Sequence, residues 1–517
     1  MNAPSPVRWF DWTDEAFRKA QAEDKPVVLA LHAEWCHGCH VMEASTYGDP
    51  EIAEILNRDY VPIRVDTDRR PDIHERYTMG GWPTVAFLTP EGDLLGGTTF
   101  VPRDTMKRLL VQLKVGYGMH RSRLKEEIAR RDEKIAQVLE RPGATLGALS
   151  MEVFRKTLRG IVATFDPAHA GFGQAPKYPL VASLRVVLQA LQETQGPDFQ
   201  EVLGRTLDAM GDRGLFDAVE GGFFHYSTND LWTAPRFEKI GEDNAGLASL
   251  YLDASLVMGR DKYAARARRT LEWARATLWD EALGVFGGSQ RADEEYYLLP
   301  PERRARRAPP PVDRTVFTPT IAALASAHLR ATEVLGEPEW AERGLRALEF
   351  LRRELVTAEG VAHYHDGRPR VFGLLRDPVA LAGALLDAHD FTGERRFLEE
   401  AAVLMDAVPG RFWMEAEGGL GDRAPAAGDR GELARPRKQI HENALAALQF
   451  ARLWRVAGRE EHRRWAERIL LSFPDFLDGY GHATAEYAIA ADWMVRPPSG
   501  VGPEGRREYL PRRVVRR

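Results

Sequence analysis

Cysteine is almost absent: 517 residues hold two, Cys36 and Cys39. A stable structural disulfide is not expected, and no second cysteine pair exists to complete a four-ligand zinc site. No apolar run approaches the roughly 18 residues that a spanning helix needs, so no membrane segment is expected. An excess of positive charge is also missing. The 70 basic and 76 acidic side chains leave a net charge of −6, which argues against a general nucleic-acid binder. The opening Met1-Asn2-Ala3-Pro4-Ser5-Pro6 has neither a charged n-region nor an apolar h-region, so a secretory signal is not expected and a cytoplasmic location is. What remains is the composition of a globular protein, too long for one core.

The two cysteines share one string, Ala33-Glu34-Trp35-Cys36-His37-Gly38-Cys39-His40. Three residues apart, they can close a disulfide across one helical turn or supply two soft ligands. Before them, Pro26 to Leu31 reads as a buried strand; after them, a helix runs through Val41 and Met42. Further helices are expected at 50–57, near 71–77 and from Arg103, with strands at 61–65 and near 94–100 and a turn into a strand at 80–88. Alternating strands and helices make an α/β layer. The order, with Trp35-Cys36-x-x-Cys39 and Trp82-Pro83-Thr84, resembles a thioredoxin fold. The resemblance implies Cys36 as nucleophile, Cys39 as resolver and Pro83 as a cis-proline packed against them. A helix N-terminus and a protonated His37 would favour the Cys36 thiolate. Thioredoxins carry a buried Asp six residues before the first Cys; Ala30 stands there. An inert site, or zinc held with His37 or His40, remain the alternatives.

The rest of the chain is rich in helix formers and repeats itself. Phe165-Asp166 precedes Gly171-Phe172-Gly173, Phe216-Asp217 precedes Gly221-Gly222-Phe223, and Trp279-Asp280 precedes Gly284-Val285-Phe286, with weaker copies at 359–361 and 417–420. A second series, Gly196, Gly259, Gly336, Gly393 and Gly458, ends helical runs. Tyr263, Trp340, Phe397 and His462 follow four residues after the last four and are expected to re-enter the core. About six hairpins of more than 50 residues each point to a closed (α/α)6 toroid. The expected domains are a thioredoxin-like unit at 1–118, a connecting helix and linker at 119–147, the toroid at 148–496 and a basic tail at 497–517.

That layout resembles the six-hairpin glycosidases and N-acylglucosamine 2-epimerases. Cys36-His37-x-Cys39-His40-Val41-Met42, Gly81-Trp82-Pro83, Gly173-x-Ala175-Pro176-Lys177-Tyr178-Pro179 and Pro235-x-Phe237-Glu238-Lys239 carry a more specific resemblance. It is to the thioredoxin-domain proteins that include the animal spermatogenesis-associated member and its bacterial relatives. It implies a fold rather than a reaction. Phe317-Thr318-Pro319 replaces that family's usual Trp-Asn-Gly.

Polar residues expected around one mouth of the toroid are Lys177, His225, Arg236, Glu238, Lys239, Asp243, Asp377, His441 and Glu442. Acids, bases and imidazoles in one place could move protons on a sugar. Caps, helix-dipole partners and ion pairs are the bland explanation for the same residues. The Pro- and Arg-rich stretch 300–314 is expected to be a solvated loop. The leading function is a thiol–disulfide oxidoreductase coupled to a polar toroid pocket. Alternatives are an epimerase- or isomerase-like enzyme acting on a carbohydrate, and a non-catalytic binding protein. Expected partners are a small molecule such as a sugar, or a thiol partner protein. No cofactor and no metal are expected.

Overall fold

The computed structural model describes residues 5–139, 148–473 and 477–496. The chain forms two compact units, Met1–Pro142 with Arg423–Arg437, and Gly143–Asp422 with Lys438–Arg517.

The first unit runs α1 (Asp14–Glu23), β1 (Val27–His32), α2 (His37–Met42), α3 (Pro50–Asp59), β2 (Val61–Asp66), α4 (Pro71–Tyr77), β3 (Thr84–Leu88), β4 (Leu94–Thr98) and α5 (Arg103–Leu139). The strands form one sheet in the order β2-β1-β3-β4. β1 is parallel to β2 and antiparallel to β3. β1 is apolar from Val27 to Leu31 because both its faces are covered. Val28 and Ala30 join a cluster with Met42, Ile52, Leu56, Met106 and Leu110. Val27, Leu29 and Leu31 join the opposite cluster with Phe17, Ile73 and Tyr77. That second cluster also contains Leu433, from the distant segment Arg423–Arg437. Arg76 binds this segment by donating to the carbonyls of Glu432 (2.9 Å) and Arg435 (2.7 Å). Tyr77 Oη accepts from the Glu432 amide at 3.0 Å and donates to the Gly92 carbonyl at 2.7 Å. The unit is therefore discontinuous in sequence. The boundary expected at 118/119 falls inside α5, one helix where two were anticipated. Residues 140–147 of the expected linker and the tail at 497–517 lie outside the described residues.

The second unit is an (α/α)6 toroid. Its helices are α6 (Met151–Ala163), α7 (Val181–Thr194), α8 (Pro197–Asp212), α9 (Gly241–Met258), α10 (Asp261–Trp273), short α11 (Glu294–Tyr297) and α12 (Pro301–Arg304), α13 (Thr318–Leu335), α14 (Pro338–Phe350), α15 (Arg376–Thr392), α16 (Arg395–Phe412), α17 (Ile440–Ala457), α18 (Glu460–Leu471) and α19 (Ala485–Val495). Helices α7, α9, α13, α15, α17 and α19 each pack on the next, and α19 returns to α7. The sixth hairpin is made from the two ends of the unit, α19 and α6.

The glycines of the second repeated series stop the inner helices: Gly259, Gly336, Gly393 and Gly458 adopt left-handed φ of 62–78° at their C-caps. At the first position Gln195 takes that role, and Gly196 caps the start of α8. Tyr263, Trp340, Phe397 and His462 are buried. The Phe-Asp…Gly-Phe series forms the turns between outer and inner helices, pairing Phe165 with Phe172, Phe216 with Phe223, Trp279 with Phe286 and Trp413 with Leu420. The Asp carboxylate holds each of the first three turns, as Asp166 does by accepting from the amides of Ala168 and His169. Toward the other end of the inner helices, buried polar pairs join neighbours two by two. Asp253 binds Arg330 at 2.7 Å, Asp387 binds Arg452 at 2.7 Å, and Gln189 binds Asp492.

The stretch 300–314 is largely exposed, as its composition suggests, but it is not all loop. It contains α12, and Arg304 is buried there, donating to both Asp217 oxygens at 2.9 Å. A carboxylate withdrawn from water draws in the nearest cation.

Candidate functional sites

β1 delivers the chain into the cysteine string. Cys36 is the N-cap of α2, and its Sγ accepts the Cys39 amide at 3.2 Å. Both cysteines are free thiols and buried, Cys36 at 3% exposure and Cys39 at 7%. The Trp82–Pro83 peptide is cis. A Cβ built on Gly38 would lie 3.2 Å from Pro83 Cδ, 3.6 Å from the Trp82 carbonyl and 4.0 Å from Cys36 Sγ. The proline turn and the first sulfur thus flank the same glycine.

Two indoles sit beside this arrangement. Trp35 Nε1 donates to Asp68 at 2.8 Å, Trp82 Nε1 donates to Thr67 Oγ1 at 3.0 Å, and the rings lie 5.3 Å apart. Trp82 is 38% exposed and stacks on His74 at 4.7 Å. Burial lowers the His74 pKa to about 4. His32 is lowered to about 3, by burial first and then by the charges of Arg64, His40 and Arg69. Both imidazoles are neutral near pH 7. His40 Nε2 lies 2.7 Å from the Glu34 carbonyl, and His37 is the first residue of α2.

The second unit gathers a different set of groups. Four inner helices bring charged residues in their first turns: Glu242 and Asp243 on α9, Arg376 and Asp377 on α15, His441 and Glu442 on α17, and Glu486 on α19. His225 Nδ1 lies 2.7 Å from Asp243 Oδ2. Arg376 donates to Glu242 at 3.4 Å, tying the start of α15 to that of α9. His441 Nδ1 lies 3.3 Å from Glu486 Oε1. Desolvation lowers the His441 pKa, but the hydrogen bond and charge of Glu486, with Glu442 adding, outweigh it and the opposing Arg376, so the net shift is upward. Tyr178, stacked on Tyr226 at 4.7 Å, presents its ring edge to His225.

The remaining expected mouth residues are used differently. Lys177 is fully buried, its ammonium donating to Asp166 (2.6 Å) and the Ala170 carbonyl (2.9 Å). Lys239 repeats this with Asp217 and the Gly221 carbonyl, both at 2.8 Å. Its pKa falls to about 8 through burial, opposed by Asp217. Asp377 is buried against His363 Nδ1 at 2.7 Å. Glu238 is buried and accepts the His225 amide through its own carbonyl; Arg236 is exposed on a two-residue strand paired with Tyr226. His363, Arg376 and Glu486 are additions that sequence spacing did not single out. His363 reaches Asp377 from the hairpin loop just before α15, while Arg376 and Glu486 meet Glu242 and His441 from other helices.

The family described as "Protein of unknown function, DUF255", of thioredoxin-like type, matches residues 1–140. Thioredoxin-1 of Drosophila yakuba is 33% identical over 76 residues, which is 15% of this chain and 68% of the relative. The chain belongs, through its first 140 residues, to the thioredoxin-like family. Spermatogenesis-associated protein 20 of Homo sapiens is 31% identical to it over 319 residues, covering 57% of this chain and 40% of the relative. The thioredoxin-like chain thus spans about two-fifths of the length of that relative. A thiol:disulfide interchange protein of Pseudomonas aeruginosa is 33% identical over 98 residues, 17% of this chain and 16% of its own. A D-mannose isomerase structure covers 66% of this chain and 95% of its own, with a TM-score of 0.53 and 14% identity. A cellobiose 2-epimerase from Spirochaeta thermophila covers 67% and 95%, with a TM-score of 0.52 and 16% identity. These two likenesses establish the toroid fold. Among the described residues of this thioredoxin-like protein, no helix is long and apolar enough to cross a membrane.

Proposed function

We propose that the protein is a thiol–disulfide oxidoreductase that works through Cys36 and Cys39. One observation carries this reading: Cys36 caps the start of α2 with its sulfur, while the Pro83 turn lies across Gly38 from it. The Cys36 thiolate attacks one sulfur of a partner disulfide, forming a mixed disulfide and releasing the first partner thiolate. Cys39 then attacks Cys36 Sγ, forming the Cys36–Cys39 bond and releasing the second. The partner gains two electrons, the pair loses two, and an external dithiol restores it. The helix N-terminus favours the attacking thiolate. Low exposure of both cysteines favours a disulfide delivered to the site beside the exposed Trp82. That favours a dedicated partner over general reduction. A reducing compartment such as the cytoplasm suits free thiols. The test is mixed-disulfide trapping: Cys39→Ser should retain a partner disulfide covalently and Cys36→Ser should not. Equal behaviour of the two variants counts against the reading.

A second reading concerns the toroid mouth. Two histidine–carboxylate pairs, His225–Asp243 and His441–Glu486, together with Arg376, supply acid and base groups that could epimerise or isomerise a carbohydrate. The fold neighbours include a D-mannose isomerase and a cellobiose 2-epimerase, which agrees with that class of substrate. Incubating aldoses and N-acyl sugars with wild type and His441→Ala tests it. Turnover that is lost in the variant supports the reading, and the absence of any turnover contradicts it.

A further inference from the structure

The turns that follow the outer helices of the toroid repeat one arrangement. An aromatic ring opens the turn, and an arginine of the next outer helix lies over it. Arg205 stands 5.7 Å from the ring centre of Phe165, Arg269 5.3 Å from Phe216, Arg346 5.5 Å from Trp279 and Arg468 3.9 Å from Trp413. A cation over a ring face is an attractive pair. Three of these guanidinium groups also meet a carboxylate: Arg205 with Glu201 at 2.8 Å, Arg346 with Glu281 at 3.0 Å and Arg468 with Glu415 at 3.9 Å. The turn after α14 departs from the pattern. Val356 stands in the ring's place and pairs with Val361 across a shorter turn. The arginine is still there. Arg411 on α16 donates to the Glu359 carbonyl at 2.8 Å, as Arg205, Arg269 and Arg346 donate to the carbonyls of Pro167, Ala218 and Glu281. Gly360 makes room for it, since a Cβ there would lie 2.3 Å from Arg411 Nη1. Among the described residues, Arg411 has neither a ring beneath its guanidinium nor a carboxylate at ion-pair distance.

A cavity of 180 Å³ lies where the ring is missing, lined by Val356, Val361, Leu374, Val403, Leu404 and Phe412, with Arg411 beside them. Val403 is 70% exposed and Val356 37%, so the cavity opens to solvent. An apolar cavity of about 150 Å³ takes a benzene molecule. We propose that this cavity binds a small, single-ring aromatic carboxylate. Its ring takes the place that Phe or Trp fills in the sister turns. Its carboxylate pairs with Arg411, whose planar fork of N–H groups suits such an anion. Ring and anion are the two groups this position lacks, and one ligand brings both. The lining comes from a turn, the start of α15 and the outer helix α16, so the site requires neither thiol nor carbohydrate chemistry.

The experiment titrates the full chain with benzoate, benzamide and acetate, followed by calorimetry and by saturation-transfer NMR. Benzoate should bind saturably at one site. Benzamide keeps the ring without the charge and should bind about tenfold more weakly, the size expected for one charge-assisted pair. Acetate, which has no ring, should not saturate. Arg411→Ala should weaken benzoate by about tenfold and leave benzamide unchanged. Val356→Phe restores the ring of the sister turns. It should fill the cavity, abolish benzoate binding and raise the thermal unfolding midpoint, and it keeps the test independent of whether Arg411→Ala folds. Absence of saturable benzoate binding to wild type overturns the proposal. So does benzoate binding that Val356→Phe leaves intact, or that benzamide equals.

Discussion

The Pro83 ring lies 3.2 Å from where a Cβ on Gly38 would stand, and Cys36 Sγ lies 4.0 Å from the same point. One hydrogen atom's worth of space at residue 38 keeps the proline turn and the sulfur together. In Gly38→Ala the turn must shift by a few tenths of an ångström. Reaction of Cys36 with an aromatic disulfide should slow by about tenfold, since misplacement on this scale degrades a reacting geometry. The unfolding midpoint should change little. Stopped-flow absorbance gives the rate and urea denaturation gives the midpoint.

The first unit depends on a segment nearly three hundred residues away in sequence. Arg76→Ala leaves the carbonyls of Glu432 and Arg435 without their donor and unsettles Asp72, whose own carbonyl accepts from Arg76 at 2.9 Å. Loss of a buried, fully bonded cation should cost about 3 kcal/mol. Urea unfolding followed by Trp35 and Trp82 fluorescence reads it. A fragment ending at residue 142 lacks Leu433 and the bonds to Arg76 and Tyr77, and should be less stable than the same unit in the full chain by a similar amount or more.

His441 should titrate above an ordinary histidine because Glu486 favours its charged form. Glu486→Gln removes that charge and should lower the His441 pKa. NMR titration of the imidazole follows it. If catalysis at the mouth uses protonated His441, the alkaline limb of activity moves to lower pH with it.

His328 is buried between Phe286 and Trp340, its Nδ1 2.8 Å from the Leu324 carbonyl, and burial lowers its pKa to about 4. The folded chain holds it neutral while the unfolded chain protonates it below about pH 6.5. Stability attributable to this residue is therefore present above pH 6.5 and is lost as pH falls from there toward 4. His328→Leu should flatten this part of the stability–pH curve, read by thermal unfolding across that range.

Much of this architecture is legible in the residues. The continuous apolar run of β1, the Cys36–Cys39 spacing, Trp82-Pro83 and the left-handed glycines after the inner helices are local signals with local causes. The repeated Phe-Asp…Gly-Phe turns are equally local. Contacts set by ring closure or by return of the chain are not. Nothing around Leu433 announces that it packs beneath β1, and nothing in α6 announces that it pairs with α19. Lys177 and Lys239 sit in the same Gly-rich loops as the mouth residues. Only the structure shows that their ammonium groups turn inward to hold Asp166 and Asp217. Arg304 looked solvated because its neighbours Arg303, Arg306 and Arg307 are exposed, and its own partner is 87 residues away.

The most direct test of the account is the redox couple of the Cys36–Cys39 pair in the intact chain. Equilibrating the protein with dithiothreitol buffers of graded potential and trapping the free thiols by alkylation should show a two-electron transition between two free thiols and none. Cys36→Ser and Cys39→Ser should each abolish it. A pair that stays fully reduced across the whole range, with mixed disulfides formed by neither single variant, would contradict the account.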